Sequence, residues 1–295
     1  MTHKAGFVSI IGYPNVGKST LMNALLGEKL SIITPKAQTT RHRIMGIFSG
    51  DDYQIIYSDT PGVIKPHYKL HRAMMSAVFS AIDDADVILI VTEPGNEFKE
   101  EEILSKIRSS GSPIIVAINK IDLGTMETMG TEVEKWMKIL ENATVLPVSA
   151  LHNLNLDQVF KAILHHLPES PAFYPKDELT DRSQRFFVSE IIREKILLNF
   201  SQEVPYSTEV AVESFREETH ITRIIATIFV ARETQKGILL GHQGSAIKKL
   251  GTDARKDIEA FLGKHIFLEL RVKVAKDWRE DDQALSRFGY NTDKK

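Results

Sequence analysis

Gly6-Phe7-Val8-Ser9-Ile10-Ile11-Gly12-Tyr13-Pro14-Asn15-Val16-Gly17-Lys18-Ser19-Thr20 is the stretch that decides how this chain folds. Its apolar run, Phe7 to Ile11, has the length and composition of a buried strand. A helix opens after it, and between the two stands a Gly-x-x-x-x-Gly-Lys-Ser loop, the pattern that cradles phosphates. Glycine lets backbone approach closely. Amides of Asn15 to Ser19 can then converge on a β-phosphate at the positive end of the helix. Lys18 reaches the β- and γ-oxygens, and the Ser19 hydroxyl ligates magnesium, Mg2+. By itself the loop leaves ATP and GTP undecided.

Outward from the loop, short apolar runs alternate with helical stretches as far as about Leu167: Gln54 to Tyr57, Val87 to Val91, Ile114 to Ile118 and Thr144 to Pro147. Such alternation predicts an α/β domain, a mostly parallel sheet with helices on both faces. Three of the runs end on polar signatures. Asp59-Thr60-Pro61-Gly62 follows the first; Asp59 there would hold the magnesium shell while the Gly62 amide senses the γ-phosphate, a simple turn being the alternative. Asn119-Lys120-Ile121-Asp122 follows a later strand and selects the base. The Asp122 carboxylate offers two acceptors to the ring imino proton and exocyclic amine of guanine, a donor pair adenine lacks. Asn119 would brace the loop and the Lys120 stem would cover the base. Ser149-Ala150 comes after the last strand, where the Ala150 amide can donate to the guanine carbonyl. Ligands bind at the carboxyl ends of strands in such sheets, and all four elements lie there. GTP and GDP are therefore the expected ligands.

Between the first two elements, Lys36-Ala37-Gln38-Thr39-Thr40-Arg41 is polar and aperiodic. It reads as a loop ordered by the γ-phosphate, with Thr40 favoured over Thr39 as a magnesium ligand; an ordinary basic surface loop is the alternative. Hydrolysis also needs a positioned water. Many switches place a glutamine directly after the aspartate-containing turn, but here that residue is Val63, which cannot orient water, so slow intrinsic turnover is expected. Asn15 suggests a further device, a side-chain oxygen holding potassium, K+, beside the phosphates; bracing of the loop is the alternative. Lys18, Thr40, Gly62 and Asn15 are thus the expected catalytic positions.

Composition bounds the rest. The chain has 295 residues, enough for two cores, and no cysteine, so disulfides and thiolate metal sites are excluded and a reducing cytosol suits it. Met1 to Ala5 leads straight into the first strand without a signal-peptide pattern, and no apolar run approaches the roughly 20 residues a membrane span needs. The net charge of −2 carries no general nucleic-acid signature, so any such site must be local. Pro168 to Arg185, with three prolines and no periodicity, reads as a connection. The expected division is a nucleotide-binding domain at 1–170, a linker at 171–185 and a second domain at 186–295.

That second half is α+β. A helix is expected from about Phe186, strands around Thr208 to Arg216 and Arg223 to Ala231, a helix after Gly244, and a strand at His265 to Ala275. In the last, Ile266, Leu268, Leu270, Val272 and Val274 alternate with polar residues. Gly241-His242-Gln243-Gly244 leads into a helix with Ile247, Leu250, Ala254, Ile258 and Phe261 at buried spacing and Lys248, Lys249, Arg255 and Lys256 on its surface. A Gly-x-x-Gly turn between helices is the device of KH domains, which clamp about four nucleotides. From Ser183 onward 19 basic residues face 17 acidic ones, so the electrostatic support is local, and solvated lysines are the alternative reading.

These features together resemble the bacterial Era GTPases, which join a GTPase domain to a C-terminal type II KH domain. The likeness spans nearly the whole chain. Besides the nucleotide elements it includes Lys36 to Arg43, Glu190-Ile191-Ile192-Arg193-Glu194-Lys195, Glu203-Val204-Pro205-Tyr206, Leu240 with the turn after it, Trp278, and Phe288-Gly289-Tyr290. The resemblance implies a cytoplasmic factor in small ribosomal subunit assembly that binds small-subunit ribosomal RNA near its 3′ end. Gly241, His242, Gln243, Gly244, Lys248 and Lys249 would meet the RNA, and RNA binding would depend on the bound nucleotide. It also implies peripheral contact with the cytoplasmic face of the inner membrane; a monomer is expected from size. Two rivals stay open on the residues: a GTP-gated regulator that docks protein, and a metabolic phosphotransferase, which the guanine-selecting element disfavours.

Overall fold

The computed structural model describes residues 3–291. Their elements run β1 (Lys4–Ile11), α1 (Lys18–Leu26), β2 (Ile44–Ser49), β3 (Tyr53–Asp59), α2 (Lys69–Asp83), β4 (Val87–Thr92), α3 (Glu101–Ser109), β5 (Ile114–Ile118), α4 (Met126–Ile139), β6 (Thr144–Pro147) and α5 (Leu156–His166). The second half continues with α6 (Gln184–Asn199), β7 (Thr208–Glu217), β8 (Thr222–Val230), α7 (Glu233–Leu240), α8 (Ser245–Leu262), β9 (Ile266–Val274) and α9 (Asp282–Arg287). Two compact units result: 1–66 with 74–181, and 67–73 with 182–295.

The first unit holds a six-stranded sheet in the order β2-β3-β1-β4-β5-β6, parallel except for β2, which runs antiparallel to β3. Every residue of β4 is buried, as expected of an apolar strand covered on both faces. Ile88, Ile90, Val116 and Ile118 form a core with Val78 and Ile82 of α2 and Ile107 of α3. The apolar runs read from sequence all lie within strands. The strand that sequence reading misses is β2. Its Gly46 looks like a breaker, yet a Cβ there would stand 2.4 Å from Leu26 Cδ1, so the glycine admits the end of α1 onto the sheet.

Residues 168–181 are extended and aperiodic, but they are bonded to the first unit along their length. Ala5 N donates to Pro168 O at 3.2 Å, and Ile47 N donates to Leu179 O at 2.8 Å. The buried Gln54 carboxamide accepts from the amides of Phe173 and Tyr174 and donates to Tyr174 O. The Thr180 hydroxyl donates to Met45 O at 2.6 Å. The chain enters α6 at Gln184, two residues before the start expected from sequence, because the Ser183 hydroxyl caps the helix by accepting from Phe186 N.

The second unit has the element order helix–strand–strand–helix–helix–strand, followed by the short α9. β7 is antiparallel to β8, and β8 is parallel to β9. Val188, Ile192 and Ile196 of α6 and Leu250, Ala254 and Ile258 of α8 form one core with Ile224, Ala226 and Ile228 of β8. Phe261, expected in the stripe, is 39% exposed, its ring against Phe187 at 5.3 Å instead of inside the core. Among the described residues no helix is long and apolar enough to cross a membrane.

Candidate functional site

The sheet of the first unit brings the phosphate loop, the Asp59 turn and the Asn119 and Ser149 loops to one edge, because each follows the carboxyl end of a strand. An open cleft lies there, lined by Pro14, Asn15, Gly17, Lys18, Ser19 and Thr20 together with most of the 32–40 loop, Gly62 and Lys120.

Gly17 precedes α1 with φ +96, and a Cβ on it would fall 2.2 Å from Asn119 Nδ2. Only glycine fits both the conformation and the contact. Through that gap Asn119 Nδ2 donates to Val16 O at 2.8 Å, while its Oδ1 accepts from Ala150 N at 2.9 Å. One side chain therefore ties the phosphate loop to both base-side loops. The Ala150 amide, expected on the guanine carbonyl, is engaged by Asn119 here.

Lys18 is almost wholly buried, and its Nζ donates to the carbonyls of Gly12 and Tyr13, at 3.0 and 2.8 Å. Burial pushes its pKa down to about 8, with Asp59 pulling the other way. An ammonium this short of counter-charge is a ready partner for phosphate oxygens. Val63 N donates to Gly12 O at 3.0 Å and Thr60 Oγ1 to Ile10 O at 2.7 Å, so the turn after β3 is pinned to β1 and its loop. Pro61 connects those two anchors in sequence. The Val63 side chain lies fully inside the core. Tyr13 departs from the phosphate loop in its side chain, which bonds Glu100 and packs on Phe98.

Ser19 Oγ donates to Asp59 Oδ2 at 2.6 Å and lies 2.9 Å from Thr40 Oγ1, which in turn reaches the same carboxylate oxygen at 3.3 Å. Thr39 is turned away, its hydroxyl bonded to Lys36 O and Thr34 Oγ1. Asp59 is buried, its Oδ1 lacks a hydrogen-bond partner among the described residues, and burial drives its pKa up against the Ser19 bond and Lys18. Two hydroxyls and an under-compensated buried carboxylate form an all-oxygen donor set that fits magnesium.

At the base end, Ser149 Oγ donates to Asp122 Oδ1 at 2.5 Å and holds that carboxyl below its ordinary range. Lys120, with φ +63, pairs with Glu93. His152 Nε2 stands 3.8 Å from Asp122 Oδ2. Sequence reading assigned no role to Glu93 or His152; neither belongs to a spaced pattern, and only folding brings them to the loop.

In the second unit α7 and α8 meet at Gly241 to Gly244. Gly241, Gln243 and Gly244 have φ of +70, +51 and +78. His242, Gln243, Lys248 and Lys249 are exposed, and no ion pair involving either lysine occurs among the described residues. The turn thus presents backbone and two uncommitted cations on one surface of the unit.

A family described as 50S ribosome-binding GTPase matches residues 7–120, and a KH-domain family matches residues 203–279. The first covers the nucleotide half alone and so does not bear on which RNA the second half meets. GTPase Era of Syntrophus aciditrophicus is 44% identical over 292 residues, 98% of this chain and 95% of the relative. A variant of Aquifex aeolicus Era bound to GDP·AlF4− has a TM-score of 0.93 at 38% identity, over 97% of this chain and 99% of that one. Era in complex with MgGDPNP and nucleotides 1506–1542 of 16S ribosomal RNA gives the same TM-score and identity over 98% and 99%. Identity at this level from end to end, on a fold that joins a guanine-nucleotide site to a KH unit, means that the chain belongs to the Era GTPase family.

Proposed function

We propose that this chain is a GTP-hydrolysing switch that binds small-subunit ribosomal RNA near its 3′ end and acts in small-subunit assembly. The observation that carries the reading is the presence in one chain of a guanine-selecting carboxylate, Asp122, and an exposed Gly-x-x-Gly turn with free lysines behind it. The solved relative bound to 16S ribosomal RNA supports the choice of RNA.

In this reading the amides of Asn15 to Ser19 and the Lys18 ammonium bind the β- and γ-phosphates. Ser19, Thr40 and Asp59 hold magnesium, which when bound neutralises charge between those phosphates. Gly62 senses the γ-phosphate, and Asn119, Lys120, Asp122, Ser149 and Ala150 enclose the base. Gly241 to Gly244 admit the RNA backbone, and Lys248 and Lys249 offset its charge. Such a factor works in the cytoplasm as a monomer; peripheral contact with the inner membrane rests on the family resemblance alone.

The test is RNA affinity by filter binding at fixed salt, with 3′-end oligonucleotides against scrambled controls, in GTP-analogue and GDP states. Gly244→Asp is the sharper variant. A Cβ there meets nothing within 4 Å, so its cost is the left-handed backbone at φ +78, about 1–2 kcal/mol and least for Asp or Asn, whereas one on Gly241, at φ +70, would in addition lie 2.9 Å from the Ala246 amide nitrogen. A carboxylate at 244 is expected to weaken RNA binding at least about tenfold by repelling phosphate, with GDP affinity unchanged. Unchanged RNA affinity would favour a protein-docking role instead.

Asn15 carries a second proposal. Its Nδ2 donates to Pro35 O at 3.1 Å, leaving the carboxamide oxygen available to a potassium ion beside the phosphates. Hydrolysis should then run at least about tenfold faster in potassium than in sodium, and Asn15→Ala should erase the difference. Equal rates in the two salts for the unaltered protein would remove the ion from the account.

A further inference from the structure

Water attack on the γ-phosphate requires a group that fixes the water, and the position after the Asp59 turn supplies none: Val63 is sealed into the core of the first unit. Several of the other polar side chains around the cleft are already bonded, the Asn15 carboxamide oxygen being the one assigned above to a cation. Thr40 and Ser19 are bonded to Asp59, Thr39 to Lys36 O and Thr34, Lys18 to the phosphate-loop carbonyls, and the Asn15 amide nitrogen to Pro35 O. Gln38 differs. It lines the same cleft, two residues before Thr40, and its Oε1 is buried with no hydrogen-bond partner among the described residues. A buried acceptor left unsatisfied is costly and calls for an explanation. The backbone adds a second sign: Gln38 sits at φ +57, a left-handed conformation that penalises a non-glycine side chain and is retained mostly where the placement of that side chain matters.

We infer that Gln38 is the residue that positions the attacking water, supplied from the loop before Thr40 rather than from the turn after β3. Its Oε1 accepts a hydrogen bond from the water and aims the oxygen lone pair at phosphorus. The water oxygen forms a bond to the γ-phosphorus as the bond from that phosphorus to the β–γ bridging oxygen breaks. The electron pair of the broken bond stays on GDP, and the proton shed by the water goes to the phosphate released. Gln38 itself neither gains nor loses a proton; its contribution is orientation. Because it belongs to the loop that carries Thr40, the group that aims the water is expected to be in place only when that loop is ordered over the γ-phosphate.

The experiment compares the full-length protein with Gln38→Ala and Gln38→Met, the latter keeping length but removing the acceptor. Single-turnover hydrolysis should slow roughly 10- to 100-fold in both variants. GDPNP affinity should stay within about twofold, because the ground-state nucleotide has no attacking water to lose. GDP·AlF4− should no longer form a stable complex, since that mimic depends on an aligned water. Wild-type rates in both variants would overturn the inference. So would a parallel loss of GDPNP affinity, which would make Gln38 a wall of the cleft. A loss confined to potassium buffer, with the sodium rate intact, would reassign it to cation binding.

Discussion

Asp122→Asn should cost this protein about 10³-fold or more in affinity for GTP and GDP while conferring affinity for the xanthine nucleotides. Asp122 is ionised, held so first by the Ser149 hydroxyl on Oδ1. Guanine approaches with two N–H donors, and only an acceptor-only carboxylate can satisfy both. An asparagine turns one acceptor into an N–H2 group that faces a base donor, leaving both unpaired. Xanthine carries a carbonyl where guanine carries the amine, so the new donor meets an acceptor. Competition of unlabelled nucleotides against a fluorescent GDP analogue measures the ratio directly. If the guanine-to-xanthine preference did not move, Asp122 would not be the group that reads the base.

Arg193→Ala is expected to destabilise the second unit by about 3–5 kcal/mol, lowering its melting temperature by roughly 10–20 °C. Arg193 is 1% exposed on α6, and its guanidinium bonds Glu190 through Nε at 2.8 Å and Nη2 at 2.5 Å. Glu209 of β7, also buried, accepts from Tyr290 Oη at 2.6 Å and adds its charge to the same centre. Truncation therefore strands carboxylates in a dry interior, and most of the cost comes from that. Replacing the pair, Glu190→Leu with Arg193→Met, should recover much of the loss, since apolar groups of similar volume need no compensation. Thermal unfolding followed by circular dichroism checks both; a shift below about 3 °C for the alanine variant would show that water reaches the site.

How much of this was legible beforehand follows from where the information is stored. The phosphate loop, Asp59, Asn119 to Asp122 and Ser149 could be read because each couples a fixed local spacing to the end of an apolar strand, and both signals are contiguous. Sequence offers little to separate Thr40 from Thr39, since adjacent threonines differ in nothing local; folding separates them, one hydroxyl to Asp59 and the other to Lys36 O. β2 escaped because Gly46 reads as a break, and its meaning lies in a contact with Leu26, twenty residues back in the chain. Sequence places Gln38 in the 36–41 loop but gives its side chain no role, because an unsatisfied oxygen is a property of three-dimensional surroundings. Phe261 keeps helical period with its buried neighbours yet lies in the last turn of α8, 39% exposed.

The segment 168–181 bears on where the nucleotide-binding unit ends. β2 is the last strand on its side of the sheet, and its outward backbone is covered by this segment through Ile47 N to Leu179 O and Thr180 Oγ1 to Met45 O. A fragment stopped at Pro168 would bare those groups on an apolar strand, Ile44-Met45-Gly46-Ile47-Phe48, offering neighbouring molecules a template for intermolecular pairing. A fragment carried to Asp181 brings its own cover. The stretch that looks in sequence like a tether is thus the cover of an edge strand, hydrogen-bonded as part of the nucleotide-binding unit.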